Sequence, residues 1–331
     1  MKQIGYWLLI CCLFIALMVL IGGLTRLTES GLSITNWQPF SGVIPPLSDN
    51  TWQQEFSKYQ TSPEYLKKNF GMSIDEFKGI FWLEYIHRLI ARLVGVVFFI
   101  PLMYFFIKKE LTLKESSKLF GIFALGGMQG FIGWFMVQSG LKDAPHVNHL
   151  WLAFHLITAF FIYALIFWQS LKYLGVENSH NYTIPSPKPL LLLVLLQIIF
   201  GAFVAGTHAG LMYNTFPDMD GALVPSGLFV MSPWYLNFIQ NATMIQFTHR
   251  ILAYAVVIYI FIFWSIARKN TLTTHIKYAI NSLPIIAIIQ LLLGILTIIH
   301  AVPIPLASLH QVFALVLFTN VILIEYRFAS C

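Results

Sequence analysis

The chain has 331 residues, of which 57% are hydrophobic, 16% aromatic and only 10% charged, whereas average soluble domains carry about 25% charged residues. With a mean hydropathy of +0.72, this composition excludes a soluble enzyme, a disordered chain and a nucleic-acid-binding domain. The formal net charge of +6 asks for no acidic partner, because Lys and Arg collect in short loops, where they set membrane orientation.

A bilayer-spanning helix needs about 20 apolar residues. Runs of that kind predict eight spans, at roughly 6–24, 81–107, 119–139, 149–171, 189–206, 243–266, 279–299 and 307–325. Lys2 ahead of the first run has the look of a signal peptide, but a counterpart of the end of that run recurs later in the chain, so the run belongs to the fold. Lys2, Lys108, Lys109, Lys114, Lys118, Lys172, Lys188, Arg268, Lys269, Lys277 and Arg327 all fall on one side. The opposite side has Lys142 in a short loop and several basic residues in the long 25–80 segment, where the charge rule has little force. Both termini are therefore expected in the cytoplasm, with the long 25–80 and 207–242 loops outside. Trp37, Trp52, Phe216 and Trp234 in those loops, interspersed with Pro and Gly, suit short structures lying at the outer interface. Cys11, Cys12 and Cys331 form neither a disulfide framework nor a zinc spacing.

The two halves of the chain repeat one another. Gly22-Gly23-Leu24 through Thr28-Glu29-Ser30-Gly31-Leu32 to Gly42 can be laid on Gly201-Ala202-Phe203 through Thr207-His208-Ala209-Gly210-Leu211 to Gly221. Glu84-Tyr85-Ile86-His87-Arg88 matches Gln246-Phe247-Thr248-His249-Arg250, and Gln129-xxx-Gly133 matches Gln290-xxx-Gly294. The last pair is followed in each half by a loop and a helix bearing His155 or His310. Correspondences in one order argue for duplication, and an even number of spans per half makes the repeats parallel, related by an axis along the membrane normal. The expected fold is all-α and polytopic, two four-helix bundles over 1–175 and 176–331.

Ten histidines are present. His146, His149, His180, His208 and His275 fall in loops or at span ends and are expected to be solvated, and His300 ends the seventh span without a histidine counterpart. His87, His155, His249 and His310 remain, two per half, each near the outer end of an even-numbered span. Imidazole in hydrocarbon is costly unless paired, and intramembrane ionisable groups are functional candidates. Two facing imidazoles can hold the iron of a planar macrocycle from both axial sides. Zinc needs three or four converging ligands, and a proton-coupled transporter would add carboxylates and broken helices at the midplane. Haem fits best.

The repeats differ at one telling place: Glu84 precedes His87 by three residues, where Gln246 precedes His249. Positions i and i+3 share a helix face, so Glu84 is expected to point into the same cavity as His87. There it is either an acceptor that orients imidazole or a proton-handling or cation-stabilising group. Arg88, Arg92 and Arg250 lie beside these histidines, placed either to pair with propionates or to snorkel to the interface.

With these residues in view, the chain resembles the haem A synthase family, and its mitochondrial and proteobacterial branch in particular. The resemblance rests on GGLTRLTESGLS (22–33), TNWQPFSGVIPP (35–46), EYIHR (84–88), RLVG (92–95), QGFIGWFMVQSGL (129–141), GAFVAGTHAGLMYNTFP (201–217), QFTHR (246–250) and the helix of His310. Relatives of another branch carry a cysteine pair in the first outer loop; residues 25–80 here have none, so no thiol step is carried over. The resemblance implies oxidation of a ring methyl of haem O to a formyl group, giving haem A, through hydroxylated intermediates. It implies that His249 and His310 ligate a resident haem b, and that His87 and His155 flank the haem O site with Glu84 as the catalytic carboxylate. An electron carrier of unidentified kind is required. Contact with haem O synthase and oxidase assembly factors follows from the pathway, the location is the inner membrane, and homo-oligomers are compatible. The competing readings are a dihaem electron-transfer protein and a haem transporter or chaperone. A carrier has little need for the Glu84/Gln246 asymmetry, and a transporter should carry gates on both faces.

Overall fold

Where a helix starts is decided here as much by capping side chains as by hydropathy. Ser73 accepts from the Glu76 amide while the Glu76 carboxylate accepts from Ser73 N–H at 2.8 Å, a reciprocal cap that satisfies two otherwise orphaned donors. Thr112 and Glu115 do the same for another helix, and Asn241 accepts from Thr243 N–H for a third. The computed structural model describes residues 1–37, 41–142, 145–177, 185–270 and 272–328. His180, Cys331 and residues 38–40 of the outer-loop motif lie outside the described residues.

Eleven helices are described: α1 (Lys2–Leu27), α2 (Asp49–Tyr59), α3 (Pro63–Lys67), α4 (Ile74–Ile107), α5 (Leu113–Gly140), α6 (His149–Leu174), α7 (Lys188–Gly206), α8 (Asn237–Gln240), α9 (Ala242–Ala267), α10 (Thr274–Ile299) and α11 (Ile304–Phe328). Eight of them, α1, α4–α7 and α9–α11, are long and apolar enough to cross a membrane, and no strand is assigned among the described residues. The chain is an all-α, multi-pass membrane protein. The spans coincide with the apolar runs, but α4 begins about two turns before its run. The Ser73–Glu76 cap starts that extension, and Phe77 and Phe81, one turn apart, anchor it.

The long outer segment is ordered around aromatic rings. Trp52, Phe56 and Tyr59 of α2, Tyr65 of α3 and Phe77, Phe81 and Tyr85 of α4 form one buried cluster, with Tyr59 and Phe77 stacked at 5.1 Å. Burying such a ring contributes about 2 kcal/mol, so the cluster can hold the short helices α2 and α3, which are too short to be stable alone. Residues 207–241 form two 3₁₀ turns and α8. Trp37 and Trp234 are exposed, as interfacial tryptophans are.

Packing divides the chain into two compact units, Ile10–Ile162 and Met1–Leu9 with Tyr163–Cys331. In the first, α4 lies beside α5, α1 approaches α4 at Gly22, and α5 approaches α6 at Gly133. In the second, α7 packs on α9, α9 on α10, α10 on α11 and α11 on α7, a closed four-helix ring of the kind that holds cofactors between facing helices.

Candidate functional site

Small residues let helix backbones and side chains approach closely in a membrane, and here each of the four intramembrane histidines is met by a glycine. A Cβ at Gly22 would lie 3.2 Å from His87 Nε2, and one at Gly133 would lie 2.9 Å from His155 Cε1. In the second unit, a Cβ at Gly201 would lie 3.2 Å from His249 Cε1 and one at Gly294 would lie 2.9 Å from His310 Cε1. The rings are therefore seated against backbone that no larger residue could offer. His155 lies close enough to His87, and His249 close enough to His310, for their ring charges to interact. The structure brings together the two pairs that the sequence suggests.

Glutamines surround these rings. Gln129 donates to the His155 carbonyl at 2.7 Å, Gln197 Nε2 lies 3.3 Å from His249 Nε2, and Gln290 Nε2 lies 3.5 Å from His310 Nε2. His310 Nδ1 donates to the Gln290 carbonyl at 3.2 Å, which leaves Nε2 as the lone-pair nitrogen that a metal takes. The Nδ1 atoms of His155 and His249 and the Oε1 atoms of all three glutamines are buried with no partner among the described residues, and buried polar atoms are rarely left so. No group of three or more His, Cys, Asp and Glu converges among the described residues, which disfavours a zinc-type centre. Paired imidazoles, glycine seats and orphaned polar atoms fit a planar macrocycle ligated from two sides.

Glu84 is 2% exposed and fully engaged. Its Oε1 accepts from Arg88 Nη2 at 2.6 Å and Nε at 3.0 Å, and its Oε2 accepts from Ser33 Oγ at 2.7 Å and Ile34 N–H at 2.9 Å. Arg88 also donates to the carbonyls of Ile34 and Asn36. Both guanidinium bonds converge on the one oxygen Oε1, charge-assisted and with both partners largely buried, and the whole cluster ties the loop after α1 to α4 one turn from His87. Gln246 occupies the matching place in α9: it is fully buried and donates to the Tyr213 carbonyl at 3.0 Å, while its Oε1 has no partner among the described residues. Arg250 donates to the carbonyls of Tyr213, Thr215 and Asp218. In each unit an arginine thus staples an outer loop to the helix that carries a histidine. Arg92, one turn beyond Arg88, lines a cavity of about 200 Å³ with Tyr85, Phe81 and Arg88.

Outside the spans, Glu64 of α3 is 2% exposed and accepts from Tyr59 O–H at 3.0 Å, which in turn accepts from Asn69 Nδ2 at 2.7 Å. Burial above all, with Glu84 and Glu29 adding to it, pushes its carboxyl up to about 7, against the Tyr59 hydrogen bond and Lys68. The Asp218 carboxylate is held below its usual range by the Thr215 hydroxyl and the Gly221 N–H. His146, His275 and His300 are exposed, as expected, whereas His149 and His208 are half-buried. Sequence reasoning missed Ser33 as a partner of Glu84 and the three glutamines as partners of the histidines. Gln129 and Gln290 were visible as a repeated spacing before glycine, but nothing in the string said that the glycine faces an imidazole.

Eight helices long and apolar enough to cross a membrane, with two intramembrane histidines in each unit, define a polytopic helical membrane protein. A family model described as cytochrome oxidase assembly protein matches residues 5–322. The chain is 46% identical to the haem A synthase of Nitrosospira multiformis, covering 98% of this chain and 93% of that one. It is 43% identical to the haem A synthase of Wolbachia pipientis wMel (96% and 90% covered) and 41% identical to that of Parvibaculum lavamentivorans (99% and 94% covered). The chain belongs to the haem A synthase family.

Proposed function

We propose that this protein is a membrane oxidoreductase that converts haem O to haem A by oxidising a ring methyl to a formyl group. The proposal assigns haem O to His87 and His155 in the N-terminal half, 1–175, and a resident haem b to His249 and His310 in the C-terminal half, 176–331, two halves that arose by duplication. The observation that carries the reading is the exchange of Glu84 for Gln246 at otherwise matching places. A pure electron carrier would need no such difference, and neither would a haem transporter or chaperone.

In this reading the two imidazoles orient haem O, and Glu84 is the catalytic carboxylate beside it. All four contacts to Glu84 come from donors, so it works as an acceptor and a fixed negative charge. Such a charge favours positive charge developing at the reacting carbon or takes up a proton released there. Arg88 donates to Glu84 and the loop carbonyls, and Arg92, at the cavity wall, would receive a propionate. Arg250 keeps the corresponding loop in place over the second site. Water supplies the formyl oxygen, the four protons released pass to solvent and the four electrons to a separate carrier, and haem O reaches the chain from haem O synthase, with assembly factors taking haem A onward to a terminal oxidase. The protein resides in the inner membrane with both termini in the cytoplasm.

Replacing Glu84 with Ala should leave pigment bound while haem A disappears from membrane extracts, measured by chromatography and mass analysis of the extracted haems. Unchanged haem A would overturn the assignment. Replacing His249 with Ala should remove the low-spin haem b spectrum and leave the N-terminal site's pigment in place.

A further inference from the structure

The two arginine staples act as an internal control on what each loop residue is for. With Gly31 laid on Gly210 and Leu32 on Leu211, Ser33 falls on Met212, Ile34 on Tyr213 and Glu84 on Gln246. The staples match in kind: Arg88 Nη2 donates to the Ile34 carbonyl at 2.9 Å, and Arg250 Nη2 donates to the Tyr213 carbonyl at 2.9 Å. Each loop is therefore drawn to its helix by the same bond, although the residue before the stapled carbonyl is a serine in one unit and a methionine in the other. Met212 is 48% exposed, whereas Ser33 is 2% exposed, and a thioether has no hydrogen to donate. Closing the loop does not require a hydroxyl at this place.

What the Ser33 hydroxyl does meet is a carboxylate. Its Oγ lies 2.7 Å from Glu84 Oε2 and 3.4 Å from the Ile80 carbonyl. A hydroxyl has one proton to give, and the shorter, charge-assisted bond takes it. Ile34 N–H is the other donor to Oε2, and both Arg88 bonds fall on Oε1. Without the hydroxyl, Oε2 keeps one donor and the carboxylate is freer to turn. In the second unit, Gln246 donates to the Tyr213 carbonyl at 3.0 Å, and Met212 has no side-chain hydrogen to offer it. Hydroxyl and carboxylate occur together in one unit and are replaced together in the other.

We propose that Ser33 is a positioning residue of the N-terminal site, whose hydroxyl fixes the Glu84 carboxylate in the orientation that the oxidation of haem O uses. Its effect runs through Glu84. A carboxylate held at both oxygens stays turned one way while positive charge develops beside it or a proton passes to it, so the step needs no reorganisation of that group. This inference rests on Glu84 being the catalytic carboxylate.

The full-length protein in membranes that supply haem O is the material for the test. Ser33→Ala should keep haem O bound at the wild-type level and lower the haem A formed by about ten-fold, whereas Ser33→Thr, which retains the hydroxyl, should restore it. Chymotrypsin cleavage after Trp37 should proceed at one rate in all three proteins, because the arginine staple is intact in each. Infrared difference spectra of protein carrying isotope-labelled glutamate add a readout free of turnover. The Glu84 band, identified by its loss in Glu84→Gln, should shift in Ser33→Ala and stay in place in Ser33→Thr and Met212→Ala. An unmoved band in Ser33→Ala, equal losses of haem A in Ser33→Ala and Ser33→Thr, or faster cleavage with loss of haem O would each overturn the proposal. Haem A lost in Glu84→Gln yet undiminished in Ser33→Ala would refute the positioning role alone. Haem A still made by Glu84→Gln, with the band shifted in Ser33→Ala, would refute the catalytic assignment of Glu84 and leave only the contact.

Discussion

Glu84 shows how the surroundings of a side chain can escape the sequence. Its spacing from His87 suggests a place in the same cavity, whereas the contacts it makes after folding are to Ser33, Ile34 and Arg88. Arg88 is one turn along the same helix, but Ser33 and Ile34 lie in a loop about fifty residues upstream in the chain, and no local pattern encodes that closure. The glycine seats belong to the same scale. A methyl group added at Gly294 would sit 2.9 Å from His310 Cε1, so Gly294→Ala must push the ring or the helix aside at a cost of about 1–3 kcal/mol. The expected outcome is weakened low-spin haem absorbance in the purified protein with its helical circular dichroism retained. Gly126→Ala, at a position where an added Cβ meets nothing, should leave the absorbance as it is, and equal effects of the two changes would contradict the seating role.

At the scale of elements, hydropathy and capping account for nearly all of the helix boundaries. The eight spans were legible because about 20 apolar residues leave no other arrangement in lipid. The amphipathic start of α4 and the short helices α2 and α3 were not, since their existence depends on aromatic rings that meet only after folding. Within that outer segment Glu64 makes stability depend on pH. Its carboxyl ordinarily titrates at 4.5 and is raised to about 7 in the folded chain, so between these values the folded state binds a proton that the unfolded state has lost. Stability then falls as pH rises through the window and levels off above it. Protease resistance of residues 49–69 should therefore decline from about pH 4.5 to about pH 7, and Glu64→Gln should remove that decline. A pH profile unchanged by the substitution would count against the buried carboxyl as its source.

For the molecule as a whole, the basic residues of the short loops predict both termini in the cytoplasm. Tags fused before Met1 and after residue 331 should be protected from protease in intact spheroplasts and cleaved in inverted vesicles, and cleavage of either tag in spheroplasts would reverse the topology. The same large-scale view explains why the candidate site divides in two. Each unit closes its own pair of imidazoles between helices, and each fastens an outer loop over that pair with an arginine, Arg88 or Arg250. The two units differ in charge three residues before the histidine, where one carries Glu84 and the other Gln246.

By itself, the sequence determined that the chain crosses the membrane eight times, that its halves echo each other, and that His87, His155, His249 and His310 are the residues with a reason to be inside. Each of these follows from the cost of placing backbone or imidazole in hydrocarbon, a cost that depends on residue type and spacing alone. Tertiary structure decided which donors hold Glu84 and which glycines face the rings. These depend on which helices become neighbours, and contact between residues far apart in the chain is set by packing, which local spacing does not record.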